Sequence, residues 1–226
     1  MVVIGGGTAG LEAAATAAEV GVSVELFEEK DYVGGLGHEI SRLPDKKRIN
    51  DFITYQINRC QELPNLTIHT NQRFKPTDLK EIKPDIIVNA TGAKPLLPPI
   101  SGLHEELSKV DRNVFSIFDL LNNMENFQDF AGKEVVVIGG GAVGLDVMEY
   151  YAERGAAKVS IVEMFPELGK DLDLITKLSM MEIVEKYQVN VHTSTKLTQV
   201  NENAFLVEDA NGNMKELSFD LGFVCL

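Results

Sequence analysis

Two glutamates stand at nearly the same distance from a glycine-rich segment, and this spacing indicates contact with a sugar. Glu28 lies 23 residues after Gly5, and Glu163 lies 24 residues after Gly139. In a nucleotide-binding βαβ unit, an acid about 20 residues beyond the first glycine accepts hydrogen bonds from a ribose 2′-hydroxyl. The spacing therefore predicts two carboxylates that each bind a ribose.

The glycine-rich segments are themselves a repeat. Residues 2–12 read VVIGGGTAGLE and residues 136–146 read VVIGGGAVGLD. In each copy a β-branched run ends in G-x-G-x-x-G and passes into a helical pattern, over 8–20 and 142–154. One such fingerprint is weak, but two copies with a strand, a helix and a distant acid predict two dinucleotide-binding units.

The three glycines of each fingerprint have different expected roles. The first permits a tight turn, the second lets the backbone approach a pyrophosphate, and the third lets the helix pack closely on the strand. We expect the pyrophosphate at the helix N-terminus, where unpaired amides and the helix dipole favour an anion. The fingerprint residues are Gly5, Gly7 and Gly10 in the first copy and Gly139, Gly141 and Gly144 in the second.

Composition narrows the possible partners. The chain has 34 acidic and 21 basic residues and a net charge of −13, which disfavours binding to nucleic acid or to anionic lipid. No apolar run approaches the roughly 18 residues that a membrane span needs, and no signal peptide is recognisable, so a cytoplasmic location is expected. Cys60 and Cys225 form no C-x-x-C pair, and the four dispersed histidines predict no metal site.

The patterns predict an α/β chain with two Rossmann-like domains that have central parallel sheets, followed by a small antiparallel meander. The irregular segment 93–113 suggests the crossing between domains, which we expect at 1–108 and 109–226. A helix is predicted over 172–187. Short strand patterns then occur at 189–193, 196–200, 204–208 and 214–217, with Asn211-Gly212 as a hairpin turn.

The two copies differ after the acid. Glu28 is followed by a glycine-rich loop that contains Gly34 and Gly35, and no counterpart is expected after Glu163. Residues 84–92 predict a buried strand that ends in a tight Ala-Thr-Gly turn, of the kind that lets backbone pass beneath a flat cofactor.

Taken together, these motifs resemble the flavoprotein disulfide-reductase superfamily. The motifs are G-G-G-x-A-G-L-E, the acid, the G-G loop, A-T-G-A-x-P and the second G-G-G-x-x-G-L. Within the superfamily, residues 90–100 and 132–138 look most like the C-terminal part of NADH:flavin oxidoreductases of the 2,4-dienoyl-CoA reductase type. The resemblance covers essentially the whole chain.

The resemblance implies that the first unit binds FAD. It places the pyrophosphate at the first three fingerprint glycines and the adenosine ribose at Glu28. The G-G loop would lie beside the ribityl and phosphate portion of the flavin, and Phe74, which follows the strand predicted over 66–70, would have its backbone at the adenine. The further FAD-binding residues that it implies are Gly34, Gly35, Ala90, Thr91 and Gly92.

The second unit would bind the nicotinamide nucleotide, and Glu163 favours NADH. A 2′-phosphate about 4 Å from this carboxylate would face repulsion on the order of several kcal/mol at intermediate dielectric. Met164 and Phe165 follow, and no arginine is at hand for a phosphate. The alternative is that Glu163 is a solvated strand end and that Lys158 or Lys170 folds over a phosphate.

In the family that the chain resembles, NADH passes a hydride to FAD, and electrons continue through an iron–sulfur cluster to FMN in an N-terminal barrel. This chain has neither the cysteine cluster nor the barrel. We expect a fragment truncated at its C-terminus, without the returning segment that completes the FAD domain, and weak FAD binding. Two alternatives stay open: a disulfide-reductase relative without redox cysteines, and a non-catalytic nucleotide-binding or electron-transfer module. A flavin monooxygenase would need a further glycine fingerprint.

Overall fold

The computed structural model describes residues 1–93 and 97–226, and the Lys94-Pro95 end of the A-T-G-A-K-P motif lies outside the described residues. The chain divides into two compact units, Met1–Lys94 and Pro95–Leu226. Each unit has its own parallel sheet and its own buried core.

A four-stranded parallel sheet forms the centre of the first unit. Its strands are β1 (Val2–Ile4), β2 (Val24–Phe27), β3 (Leu66–His69) and β4 (Ile87–Asn89). They lie in the order β3-β2-β1-β4, so that the strand before the first glycine fingerprint is central. The predicted strand over 84–92 is shorter than expected and is not fully buried. Ile87 is 46% exposed, because β4 is the outermost strand of the sheet as described.

The helices of the first unit include the one predicted after the fingerprint. They are α1 (Thr8–Glu19), α2 (Gly35–Ile40), α3 (Ile49–Gln61) and α4 (Leu79–Ile82), and a 3-10 turn covers Pro44–Lys46. Alanine favours the helical state of α1, and Gly21 ends this helix with φ of +91°. Leu11, Ala14 and Ala18 pack against the sheet.

A five-stranded parallel sheet forms the centre of the second unit. Its strands are β5 (Val114–Ser116), β6 (Glu134–Ile138), β7 (Lys158–Val162), β8 (Asn190–His192) and β12 (Leu221–Val224). Their order is β5-β12-β6-β7-β8, so that the strand of the second fingerprint again lies inside the sheet. The helices are α5 (Leu103–Ser108), α6 (Ile117–Asn122), α7 (Ala142–Glu153) and α8 (Leu174–Lys186), with a 3-10 turn at Met124–Phe127.

The antiparallel meander contains three strands. They are β9 (Lys196–Asn201), β10 (Ala204–Glu208) and β11 (Met214–Ser218), and the predicted Asn211-Gly212 turn joins the last two. The interpretation of 189–193 as part of this meander is wrong. That segment is β8, which pairs in parallel with β7, because a short apolar run carries no information about its partner.

The boundary between the two compact units lies earlier in the chain than residue 108. Residues 97–108 belong with the second unit, where Leu103 is fully buried in the core beside Val114 and Val200. The Val200 amide also donates to the Ser101 carbonyl at 2.8 Å. The irregular sequence pattern indicated that a crossing between domains lies in this region. The long-range contacts then assign residues 97–108 to the second unit. The α/β class, the two Rossmann-like units and the small antiparallel sheet are as predicted.

Within residues 1–93 and 97–226, none of the helices combines the length and the apolar character that crossing a bilayer requires. Among the same residues, no cluster of three or more His, Cys, Asp or Glu side chains has the arrangement of a metal site.

Candidate nucleotide-binding sites

In the second unit, two fingerprint glycines are closely packed and one is open. A Cβ atom on Gly144 would lie 1.8 Å from the Gly139 carbonyl oxygen, and one on Gly139 would lie 2.4 Å from the Cys225 carbonyl oxygen. Nothing lies within 4 Å of a Cβ built on Gly141. The first and third glycines therefore close the turn onto the helix, and the second leaves a free approach to the backbone.

The first unit repeats this arrangement. A Cβ atom on Gly10 would lie 1.9 Å from the Gly5 carbonyl oxygen, and one on Gly5 would lie 2.4 Å from the Ala90 carbonyl oxygen. The nearest atom to a Cβ on Gly7 is the Gly35 Cα, at 4.0 Å. Gly7 has φ of −71°, and Gly141 has φ of −76°. Other residues adopt these angles without strain, so the backbone conformation does not require glycine at either position. Space for a ligand is the remaining physical reason for glycine there.

The two acids hold the glycine turns in place. The Glu28 carboxylate accepts hydrogen bonds from the Gly6 amide at 2.6 Å and from the amide two residues after the acid at 2.9 Å. The Glu163 carboxylate accepts from the Gly140 amide at 2.6 Å and, again, from the amide two residues on, at 2.8 Å. Each glutamate is only 8% exposed. Each acid therefore fixes the middle of its turn at the place where a ribose would arrive.

A counterpart of the glycine-rich loop does exist after Glu163, contrary to expectation. The Gly169 amide donates to the Gly140 carbonyl at 2.8 Å, as the Gly34 amide donates to the Gly6 carbonyl at 2.7 Å. Gly169 has φ of +60°, a conformation that favours glycine. The signal in the sequence was position: each of these glycines lies six residues after its acid. This equivalence was missed because Gly34 is part of a G-G pair, whereas Gly169 has no glycine beside it.

One residue before each of these glycines, an apolar side chain fills the space beside the middle glycine. Val33 lies against Gly6, and Leu168 lies against Gly140. Both side chains are buried, so the middle glycine of each turn is held at its amide, at its carbonyl and on its open face.

Five of the ten predicted FAD-binding residues line one cleft in the first unit, with a volume of about 420 Å³. The Phe74 ring packs edge-on against Phe27 with centroids 5.1 Å apart, and Phe27 stacks on His69. The predicted residues that line the cleft are Gly5, Glu28, Phe74, Thr91 and Gly92. Ala90 lies beneath Gly5, and Gly35 lies against Gly7 beside the turn. Gly34 bridges to Gly7, and Gly10 is within α1.

An equivalent cleft of about 530 Å³ lies in the second unit and is mostly apolar. Gly139, Gly141 and Glu163 line it, while Gly144 packs under the turn inside α7. The amide of Gln72 donates to the Glu28 carbonyl at 2.8 Å, and that of Thr195 donates to the Glu163 carbonyl at 2.9 Å, which aligns the two clefts residue by residue. The cleft lining that sequence reasoning missed is Pro98, Ile100, Lys196, Leu197, Cys225 and Leu226.

The two lysines considered for a phosphate lie in different places. Lys158 begins β7, at the opposite end of that strand from Glu163, and pairs with Glu134 at 3.0 Å. Lys170 lies over the Phe165 ring, 4.2 Å from its centroid. Of these two lysines, only Lys170 therefore lies beside a residue that lines the cleft.

The geometry fits a pyrophosphate in both units. Gly7 and Gly141 directly precede α1 and α7, and a glycine has no side chain with which to cap the first amides of a helix. These amides, together with the open face of each glycine, offer an anion both hydrogen-bond donors and space. Each site has a buried carboxylate beside it for sugar hydroxyls.

The chain is similar to several known proteins. The chain is 37% identical to bilirubin reductase of Mediterraneibacter gnavus over 218 residues, which are 95% of this chain and 32% of that protein. It is 34% identical to NADH oxidase of Thermoanaerobacter brockii over 203 residues, 88% of this chain and 30% of that protein. A solved 2-naphthoyl-CoA reductase in complex with 2-naphthoyl-CoA matches with a TM-score of 0.85 and 25% identity, over 99% of this chain and 32% of that one.

The chain thus spans about a third of the length of the relatives that it matches. The family of pyridine nucleotide-disulphide oxidoreductases matches residues 1–226. This family is built on FAD and NAD(P)H, and the relatives are oxidoreductases. The chain therefore belongs to the pyridine nucleotide-disulphide oxidoreductase family.

Proposed function

We propose that the first unit binds FAD, that the second binds NADH, and that a hydride passes from NADH to FAD for onward electron transfer to a domain outside this chain. The observation that carries the proposal is the repeated turn, with an open second glycine and a buried glutamate in each unit. The FAD residues are Gly5, Gly7, Gly10, Glu28, Gly34, Gly35, Phe74, Ala90, Thr91 and Gly92. The NADH residues are Gly139, Gly141, Gly144 and Glu163.

The assignment of FAD to the first unit rests on what that unit has in addition. Gly34 and Gly35 both adopt positive φ and bring backbone against Gly7, which leaves an approach without side chains. Thr91 and Gly92 line the same cleft, and nothing lies within 4 Å of a Cβ built on Gly92. A long ligand with a flat end needs such bare backbone beyond its pyrophosphate.

FAD, when bound, would supply the acceptor for the hydride. The chain's own contribution is binding and orientation, since the turn amides hold the phosphates and the glutamates hold the sugars. Cys60 and Cys225 lie in different units, and both are free thiols. A dithiol mechanism is therefore not part of the proposal.

The preference for NADH over NADPH follows from the Glu163 carboxylate. This buried charge would repel a 2′-phosphate, whereas it can accept hydrogen bonds from a 2′-hydroxyl. Of the two lysines that could have offset the repulsion, Lys158 is paired with Glu134 at the other end of the strand, and Lys170 lies over the Phe165 ring.

For the parent protein we propose reduction of an enoate or a dienoyl-CoA, with FMN and an iron–sulfur cluster in an N-terminal barrel outside this chain. Two similar proteins are reductases by name, bilirubin reductase and 2-naphthoyl-CoA reductase, and this chain spans about a third of each. The second candidate is a nucleotide-binding module without turnover of its own. It is favoured by the two clefts, whose described lining is mostly backbone, carboxylate and apolar groups; Cys225 also lines the second cleft, but burial raises the pKa of its thiol to about 12, which disfavours the nucleophilic thiolate.

Anaerobic mixing of the FAD-loaded chain with NADH tests the proposed function. We expect loss of the absorbance of oxidised flavin, faster with NADH than with equal NADPH. The variant Glu163→Gln should weaken NADH binding, and the matched variant Glu134→Gln, at the other end of the second sheet, should not. If FAD and NADH are both bound and the flavin absorbance does not change, the result would favour the module without turnover.

A further inference from the structure

Each nucleotide cleft has one basic residue at the same structural position, directly after the residue that bonds to the carbonyl of the acid. Arg73 follows Gln72 in the first unit, and Lys196 follows Thr195 in the second. Both basic residues line their clefts. The cleft of the second unit therefore contains a cation as well as the Glu163 carboxylate, and the charge balance between them bears on which dinucleotide is accepted.

The cation in the second unit is held by a carboxylate outside the cleft. Lys196 begins β9 and lies directly opposite Glu208, the last residue of β10. Their charged groups are 3.0 Å apart. Glu208 does not line the cleft, so it acts there only through Lys196.

We propose that Glu208 is a specificity-determining residue that disfavours NADPH by neutralising Lys196, and this inference rests on the proposed binding of NADH to the second unit. Among the side chains that line the cleft, the charges of Glu163 and Lys196 balance, and Glu208 adds a further negative charge beside Lys196. Without it, Lys196 faces Glu163 alone and offers its ammonium group to an incoming 2′-phosphate. NADH has a hydroxyl at that position and gains much less from a free cation.

The expected effect is modest, because the pair is only partly buried. The side chains of Lys196 and Glu208 are 59% and 31% exposed, and solvent-exposed pairs are worth up to about 1 kcal/mol. We therefore expect Glu208→Gln to lower the Kd for NADPH about 3- to 5-fold relative to that for NADH. The gain should shrink as salt rises, since the freed charge is accessible to ions.

The test is a titration of the chain with NADH and with NADPH, followed by nucleotide fluorescence or calorimetry. Glu216→Gln on β11 is the matched control, since it removes the same charge from the meander at a residue that does not line the cleft. Lys196→Met, alone and combined with Glu208→Gln, completes a double-mutant cycle. Thermal unfolding of each variant separates a change in selectivity from a change in stability.

Support requires that Glu208→Gln improves the NADPH to NADH ratio, that Glu216→Gln does not, and that Lys196→Met cancels the gain. An equal ratio for Glu208→Gln and Glu216→Gln, or a gain that persists without Lys196, would overturn the inference. If the wild-type chain binds NADH but the variants leave the ratio unchanged, only the inference fails. If the wild-type chain binds neither dinucleotide, the proposed function fails and the inference falls with it.

Discussion

The two candidate nucleotide clefts have the same backbone arrangement and differ in their side chains. The middle glycines, Gly6 and Gly140, are held by the same hydrogen bonds to within 0.1 Å. Around the turns, an aromatic group at Phe27 and Phe74 corresponds to Val162 and Leu197. Backbone amides and glycines suffice to receive a diphosphate, so the two turns can be alike while the side chains around them differ, as the proposed binding of two different dinucleotides requires.

The helices after the turns diverge in the same way. In α1 the face on the sheet is made of small residues, among them Ala14 and Ala18. In α7 the buried residues include Met148, Tyr150 and Tyr151. The first contact of helix and turn, at the third glycine, is nevertheless the same in both units. Divergence is therefore confined to positions where side chains, and not backbone atoms, meet.

The largest expected effect comes from the third glycine of either turn. Gly10→Ala and Gly144→Ala each place a methyl group under 2 Å from a carbonyl oxygen, so the helix must move away from the strand. We expect a loss of about 3 kcal/mol or more in the free energy of unfolding of that unit, measured by denaturant titration. The matched variant Gly141→Ala meets no atom within 4 Å and should unfold as wild type does. Equal stability of Gly144→Ala and Gly141→Ala would contradict the packing described here.

The second prediction concerns a buried tyrosine in α7 of the second unit. Tyr151 is fully buried, its hydroxyl has no hydrogen-bond partner among the described residues, and burial raises its pKa. Ala17 holds the equivalent place in α1. Tyr151→Phe should raise the free energy of unfolding by about 1 kcal/mol, because it removes an unsatisfied buried hydroxyl and keeps the ring.

Chemical denaturation of the purified variant measures this gain, with Tyr150→Phe as the control. The Tyr150 ring packs edge-on against the Tyr151 ring, and the phenylalanine of this control retains that ring. A loss of stability in Tyr151→Phe would show that the hydroxyl is satisfied in solution.

The smallest effect is a pH dependence at His192, the counterpart of His69. Burial, with Lys215 and Lys158 nearby, lowers the pKa of His192 below its usual value. The unfolded chain therefore binds a proton near pH 6.5 that the folded chain does not. The stability of the second unit should fall as pH drops through that range, until His192 is protonated in the folded state as well.

Melting temperatures between pH 8 and pH 5, roughly the range of histidine titration, check this dependence. His192→Gln should show a shallower decline than wild type, and the exposed His104→Gln should decline as wild type does. Parallel curves for His192→Gln and wild type would contradict the prediction.

Local patterns in the sequence predicted the parts of the molecule that depend on local rules. The strand, turn and helix of both fingerprints follow from steric limits within a few residues. The spacing of each acid predicted contact with a ribose, but it did not predict the bonds to Gly6 and Gly140. Those bonds depend on how two segments meet in space.

Features that depend on distant partners were missed. Residues 189–193 have a strand pattern, but only pairing with β7 makes them part of the parallel sheet. Gly169 lacks the neighbouring glycine that made Gly34 conspicuous, and its equivalence became visible through its bond to Gly140. Lys196 was overlooked because it reaches the cleft from the meander, and no local sequence pattern predicts where the meander lies relative to the cleft.

The most direct test of the account measures FAD and NADH binding to the variants Gly7→Ala and Gly141→Ala. Both glycines have ordinary backbone angles and open space, so neither change should alter the unfolding temperature. We predict that Gly7→Ala weakens FAD binding about tenfold or more, equal to about 1.4 kcal/mol, and leaves NADH binding intact, with the reverse for Gly141→Ala. Wild-type affinity for both nucleotides in both variants would contradict the claim that these two turns receive the two diphosphates.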